Sequence, residues 1–165
     1  MQWTQIHLAL NHVPVVGGPF LLLLLAWGLF RQSAEILRLA HAWILVFALI
    51  SIGLKFTGDF AADSQKERLV PLRVWVERHE QSADQATTGL FLMGLSSAVA
   101  LVAGRRRANP PAGSTWITLG IGVLTCVLVG RAAHFGGQIS HPELRGPVGN
   151  VQIDLNRLPF ASVVA

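Results

Sequence analysis

Four long apolar blocks, set apart by the chain's dense clusters of charge, constrain this sequence more than any other feature. They run from about Ile6 to Phe30, Leu39 to Phe56, Ala86 to Gly104 and Thr115 to Gly130, the last extending to Phe135. Each approaches the ~20 residues that a helix needs to cross a bilayer. Buried helices of a soluble domain are the competing reading, and composition weighs against it. Charged residues make up 13% of the chain and hydrophobic ones 52%, whereas soluble domains carry about 25% charged residues. The expected fold is an all-α integral membrane protein, a four-helix transmembrane bundle with antiparallel neighbours. The bundle occupies 1–137, with spans at 6–30, 39–56, 86–104 and 115–135 and an outer loop at 57–85. Pro71 in that loop suits the first turn of a helix running into the third span. Pro142, Gly146, Pro147, Gly149 and Pro159 make 138–165 an irregular tail. Gly136-Gly137 is expected to end the fourth helix.

Charge sets the expected orientation. The first and third connections carry Arg31, Arg38, Arg105, Arg106 and Arg107 against Glu35, so the chain's formal +4 resides on that one side. The remaining charges balance on the other side. By the positive-inside rule the arginine loops are cytoplasmic, and both termini and the 57–84 loop lie outside. A cleaved signal peptide would need a basic start and a shorter apolar core. Met1 to Leu8 has no Lys or Arg, which favours an uncleaved first helix with its N-terminus outside. The expected location is a bacterial inner membrane, with the lipid bilayer as solvent.

Several site classes have no foundation. The single Cys126 excludes an internal disulfide and a C-x-x-C-H haem attachment. No G-x-S-x-G, P-loop or H-E-x-x-H pattern is present. The pI near 10.6 reflects topology rather than nucleic-acid binding, because the basic residues are too scattered to line a groove.

Histidines carry the chemical signal. His7, His12, His79, His134 and His141 all fall at the outer end of the expected bundle, and ionisable groups at membrane depth are costly and usually functional. His7 and His12 differ by ~140° around a helix and ~7.5 Å along it, so one small site cannot use both equally. In the same stretch, Pro14 and Pro19 free upstream carbonyls, and Gly17-Gly18 permits close approach of a helix or flat ligand. Arg131 and His134, three apart, share a helix face and suit a haem whose propionate pairs with the arginine. Glu77 and Glu80 flank His79 and could orient it or share a metal. His41, alone near the cytoplasmic end, suits a core or interfacial role. Cys126 suits a small buried hydrophobe.

Several stretches in order resemble a group of small bacterial four-helix membrane proteins that share a domain of unknown function. They are Asn11-His12-Val13-Pro14-Val15-Val16-Gly17, Thr57-Gly58-Asp59 with Ala61-Ala62-Asp63, His79-Glu80, and Gly136-Gly137-Gln138-Ile139-Ser140-His141-Pro142-Glu143. In the group, Glu is commoner at the Asp59 position and a basic residue at Ser140. The resemblance implies a four-span inner-membrane fold and draws attention to His12, His79 and His141; it implies no activity.

The expected function is cytochrome b-like electron transfer. Haem b would bind near the periplasmic face through histidines from different helices, His12 and His134 by position, or His79 or His141 in place of either, with Arg131 on a propionate. Quinol and a periplasmic electron-transfer partner, or a larger membrane complex, would be the partners; nucleic acid would not. The alternatives are copper, zinc or non-haem iron held by His7, His12, His79, His134 and His141 with Glu80 or Asp59, or a non-catalytic accessory subunit.

Overall fold

The computed structural model describes residues 3–145. Those residues are helical, with no strand among them. The main helices are α1 (Trp3–Arg31), α2 (Ala34–Ser64), α4 (Arg73–Ala103) and α5 (Ala112–Ser140), with a single-turn α3 (Lys66–Leu69) between α2 and α4. Four segments are long and apolar enough to cross a membrane: α1, α2, α5, and α4 together with the turns before it. α1 packs on α2 and α5, and α4 packs on α2 and α5, which closes a ring. Contacts run in opposite chain directions: Gly17 on Phe47 and Gly28 on Leu37, Gly18 on Cys126 and Leu22 on Gly122, His41 on Ser97 and Lys55 on Asp84, Gly89 on Thr125 and Ser96 on Thr118.

The helices are longer than the apolar blocks, and much of the 57–85 connection is helical. α2 continues through Thr57-Gly58-Asp59 to Ser64, and α4 begins at Arg73, just after a 3-10 turn at Val70–Leu72 that contains Pro71. An apolar run records the hydrocarbon thickness, whereas a helix persists into the polar zone for as long as its backbone bonds are satisfied. α5 likewise runs through Gly136-Gly137 to Ser140, where His141 is extended and its N–H donates back to the Gly137 carbonyl. A second 3-10 turn, Pro142–Leu144, follows. The rest of the expected irregular tail, 146–165, lies outside the described residues.

Side chains are distributed as in a protein dissolved in lipid. Phe20, Leu23, Phe30 and Val127 are among many large apolar residues that are more than 60% exposed, a pattern compatible with lipid around the bundle. Inside, Leu21, Leu22, Leu25, Leu37, Ala40, Ile44 and Met93 form one cluster, and Ala86, Leu90 and Val129 a smaller one. Between α4 and α5 the contacts are small and hydroxylic. A Cβ on Gly89 would lie 2.6 Å from Thr125 Oγ1, so glycine is what lets the backbones approach.

The two ends of the ring differ. At one stand Arg31, Arg38 and the 105–107 arginines, and Arg38 Nη2 donates to the carbonyls of Arg107 (3.1 Å) and Ala108 (3.2 Å). Gln32, with a left-handed φ of 52°, and Ser33, whose hydroxyl accepts from the Ile36 N–H, turn the chain from α1 into α2. The other end holds His7, His79 and the C-terminus of α5.

Candidate functional site

Each helix turns a stripe of small and apolar residues inward, and these stripes select which histidines enter the bundle. On α1 the buried positions are Pro14, Gly18, Leu21, Leu22, Leu25 and Gly28. Extended back by seven from Pro14, the stripe reaches His7, which is half-buried. On α4 the stripe of Ser82, Ala86, Gly89, Leu90 and Met93 begins one turn after His79, also half-buried. α1 and α4 face each other across the ring.

The two imidazoles are set against glycines. A Cβ on Gly58 of α2 would meet His7 Cε1 at 3.0 Å, and one on Gly136 of α5 would meet His79 Cε1 and Nδ1 at 3.2 Å. Both rings therefore lie closer to those two positions than a neighbouring side chain would ordinarily allow. His79 Nδ1 donates to the Ala132 carbonyl at 2.9 Å, which in the neutral ring leaves Nε2 with its lone pair. His7 Nδ1 makes a long contact, 3.5 Å, to Thr57 Oγ1, whose own proton goes to the Leu54 carbonyl. Neither Nε2 has a hydrogen-bond partner among the described residues. The two rings lie close enough for their charges to interact, and Asp59 is within the same range of His7. One turn before His7, the buried Thr4 Oγ1 is also without a partner among those residues.

The other expected site residues stand apart from this pair. His12 is exposed on the outer face of α1 and its Nδ1 turns back to the Leu8 carbonyl at 2.7 Å. That is the ~140° offset resolved in favour of His7. His134 and Arg131 are exposed on α5, because the inward position is Ala132 and two residues onward is ~200° around the helix. Arg131 lies over its neighbour Phe135, 5.8 Å from the ring centroid. His141 is exposed beyond α5 and pairs with Glu143 at 3.0 Å. Glu143 is held below the usual carboxylate range, first by its own backbone N–H and then by His141. Glu77, Glu80 and Asp59 are exposed. Among the described residues no group of three or more His, Cys, Asp or Glu is placed to hold a metal ion. Of the five histidines expected at this end, His7 and His79 are the two that turn toward the bundle.

His41, fully buried, occupies the core at the arginine end. Its Nδ1 lies 3.1 Å from Ser97 Oγ on α4 and its Nε2 3.2 Å from Thr115 Oγ1 on α5. Thr115 gives its own proton to the Pro111 carbonyl, so Nε2–H donates to Thr115 and Nδ1 accepts from Ser97. Both ring nitrogens are satisfied, and one side chain links three helices.

Comparison with protein families, with curated proteins and with solved structures finds no match for this chain.

Proposed function

We propose that this protein is a cytochrome b-like electron-transfer protein or subunit of a bacterial inner membrane, and that His7 and His79 are the axial ligands of a haem b. Its helices form an antiparallel transmembrane bundle with the arginine loops in the cytoplasm and both termini in the periplasm, in line with the loop charges. Membership of the small four-helix group with a domain of unknown function belongs to the same reading.

One observation carries the ligand assignment. Two imidazoles on helices that face each other across the ring are each backed by a glycine, engaged at Nδ1 and unengaged at Nε2. A histidine whose Nδ1–H is fixed by a backbone carbonyl is oriented for ligation through Nε2. Haem needs only two protein ligands, which fits a pair better than the copper, zinc or non-haem iron alternative, whose sites draw on three or more. The unpartnered Thr4 hydroxyl beside His7 adds a polar group available to whatever binds there. When bound, haem would supply one-electron chemistry near the periplasmic face, between quinol and an outer partner. The chain's own residues would hold the two rings, His79 through the Ala132 carbonyl and His7 against Thr57.

The test is a reduced-minus-oxidised optical spectrum of the purified protein. A b-type band is expected, lost in His7→Ala and His79→Ala and retained in His12→Ala and His134→Ala. A colourless protein, or a band that survives both of the first two changes, overturns the assignment; metal analysis of the colourless protein then tests for copper, zinc or iron.

A further inference from the structure

A groove of about 350 Å³ runs along the outside of α1 and α2, between Gly17, Phe20 and Leu24 on one wall and Leu39, Trp43 and Phe47 on the other. Its lining is wholly apolar in character, and Gly17 lets the Phe47 ring pack against the α1 backbone. Helical phase determines what stands at its mouth. On α1, Phe20, Leu24, Trp27 and Arg31 follow one another at spacings of four, three and four, so they share a face. On α2, Glu35, Leu39, Trp43 and Phe47 repeat every four. Both walls therefore lead to the turn between the helices, where one wall ends in a guanidinium and the other in a carboxylate.

Those two charges are exposed, and among the described residues neither is part of an ion pair. Arg31 rests on Trp27, 5.8 Å from the ring centroid, which keeps it above the groove. From Glu35 to Phe47 the wall is about 18 Å long, close to one leaflet's share of a ~30 Å hydrocarbon layer. An apolar groove whose two walls end in a cation on one helix and an anion on the other matches an acyl chain below a zwitterionic headgroup.

We propose that this groove is a site for a phospholipid with a primary-amine headgroup, of the ethanolamine type. Arg31 pairs with the phosphate and Glu35 with the ammonium, while an acyl chain lies between Phe20 and Trp43. An anionic headgroup satisfies Arg31 but meets Glu35 with like charge. A choline headgroup keeps the positive charge but has no N–H to donate to the carboxylate.

Native mass spectrometry of the purified protein, equilibrated with equal amounts of phosphatidylethanolamine, phosphatidylcholine and phosphatidylglycerol, tests this. The ethanolamine lipid should be retained in preference to the other two. Glu35→Gln should lower that preference over the choline lipid by roughly two- to fivefold, the range of an exposed ion pair. Arg31→Gln should weaken retention of all three lipids, and Glu143→Gln, at the opposite end, should change nothing. With the unaltered protein, mono-, di- and trimethylated ethanolamine lipids should bind progressively less well, and this series needs no variant to fold. Equal retention of ethanolamine and choline lipids overturns the proposal, as does a preference for phosphatidylglycerol or an unchanged preference in Glu35→Gln.

Discussion

Gly136 lies under the His79 ring, and Ala132, one turn earlier on the same helix, receives its Nδ1 proton. The ring is thus positioned by backbone alone, and the sensitive substitution is at the glycine rather than at a polar neighbour. Gly136→Val would push Cβ and its methyls into the space of the imidazole. Cofactor occupancy, read from the haem-to-protein absorbance ratio, should fall on the order of 10- to 100-fold, the scale for disturbing groups that orient a ligand. Far-ultraviolet circular dichroism should show helix content unchanged; occupancy equal to that of the parent would count against His79 as ligand. His41 is positioned by side chains instead. His41→Ala removes a fully buried ring and orphans Ser97, and should cost about 2–4 kcal/mol against unfolding in detergent. The optical spectrum should be unaffected, because His41 sits at the other end. A cost below about 1 kcal/mol would mean that this polar layer is dispensable.

Residue phase was partly legible. The stripe Thr115, Thr118, Gly122, Thr125, Val129, Ala132, Gly136 can be read from the sequence at spacings of three and four, and it leaves out Arg131 and His134. The α1 stripe, traced back from Leu25 and Gly18, reaches His7 rather than His12. Which stripe faces inward was harder to read. In lipid both faces are apolar, so hydrophobicity does not mark the core and residue size has to do so. Gly58 and Gly136 were the signal for the two rings. Partners such as the Ala132 carbonyl leave no trace in residue types, because every residue has one.

At the scale of the helix, the number of spanning segments was legible, since four apolar blocks correspond to four long helices. Their ends were not, because helix continues past the apolar run on α2, α4 and α5. The α4–α5 contact was legible in kind, from small residues recurring on both partners. Its tightness can be tested at two glycines. A Cβ on Gly89 meets Thr125 at 2.6 Å, so Gly89→Ala should force the helices apart and destabilise by about 1–3 kcal/mol. A Cβ on Gly120 meets nothing within 4 Å, so Gly120→Ala should be neutral or should stabilise by up to about 1 kcal/mol. Unfolding titrations in mixed micelles separate the two. Equal responses would mean that α4 and α5 are not packed at this register.

At the scale of the whole molecule, orientation in the membrane is the property most dependent on a few charges. The arginine end is fastened by backbone: Arg38 bonds to carbonyls of the α4–α5 loop, not to its arginine side chains. Replacing Arg105, Arg106 and Arg107 with glutamine should therefore leave the helix packing intact while removing most of the charge bias that orients the chain, since Arg31 and Arg38 then stand against Glu35. Single cysteines at the exposed positions Asp63 and Ala108, introduced over Cys126→Ala, would report sidedness to a membrane-impermeant maleimide in intact cells. With the native arginines, Asp63→Cys should react and Ala108→Cys should be protected. With the triple glutamine change, labelling should appear at both positions, as for a population inserted both ways. Labelling of Ala108→Cys in the otherwise native chain would invert the topology. It would also move His7 and His79 to the cytoplasmic face, and the proposed haem with them.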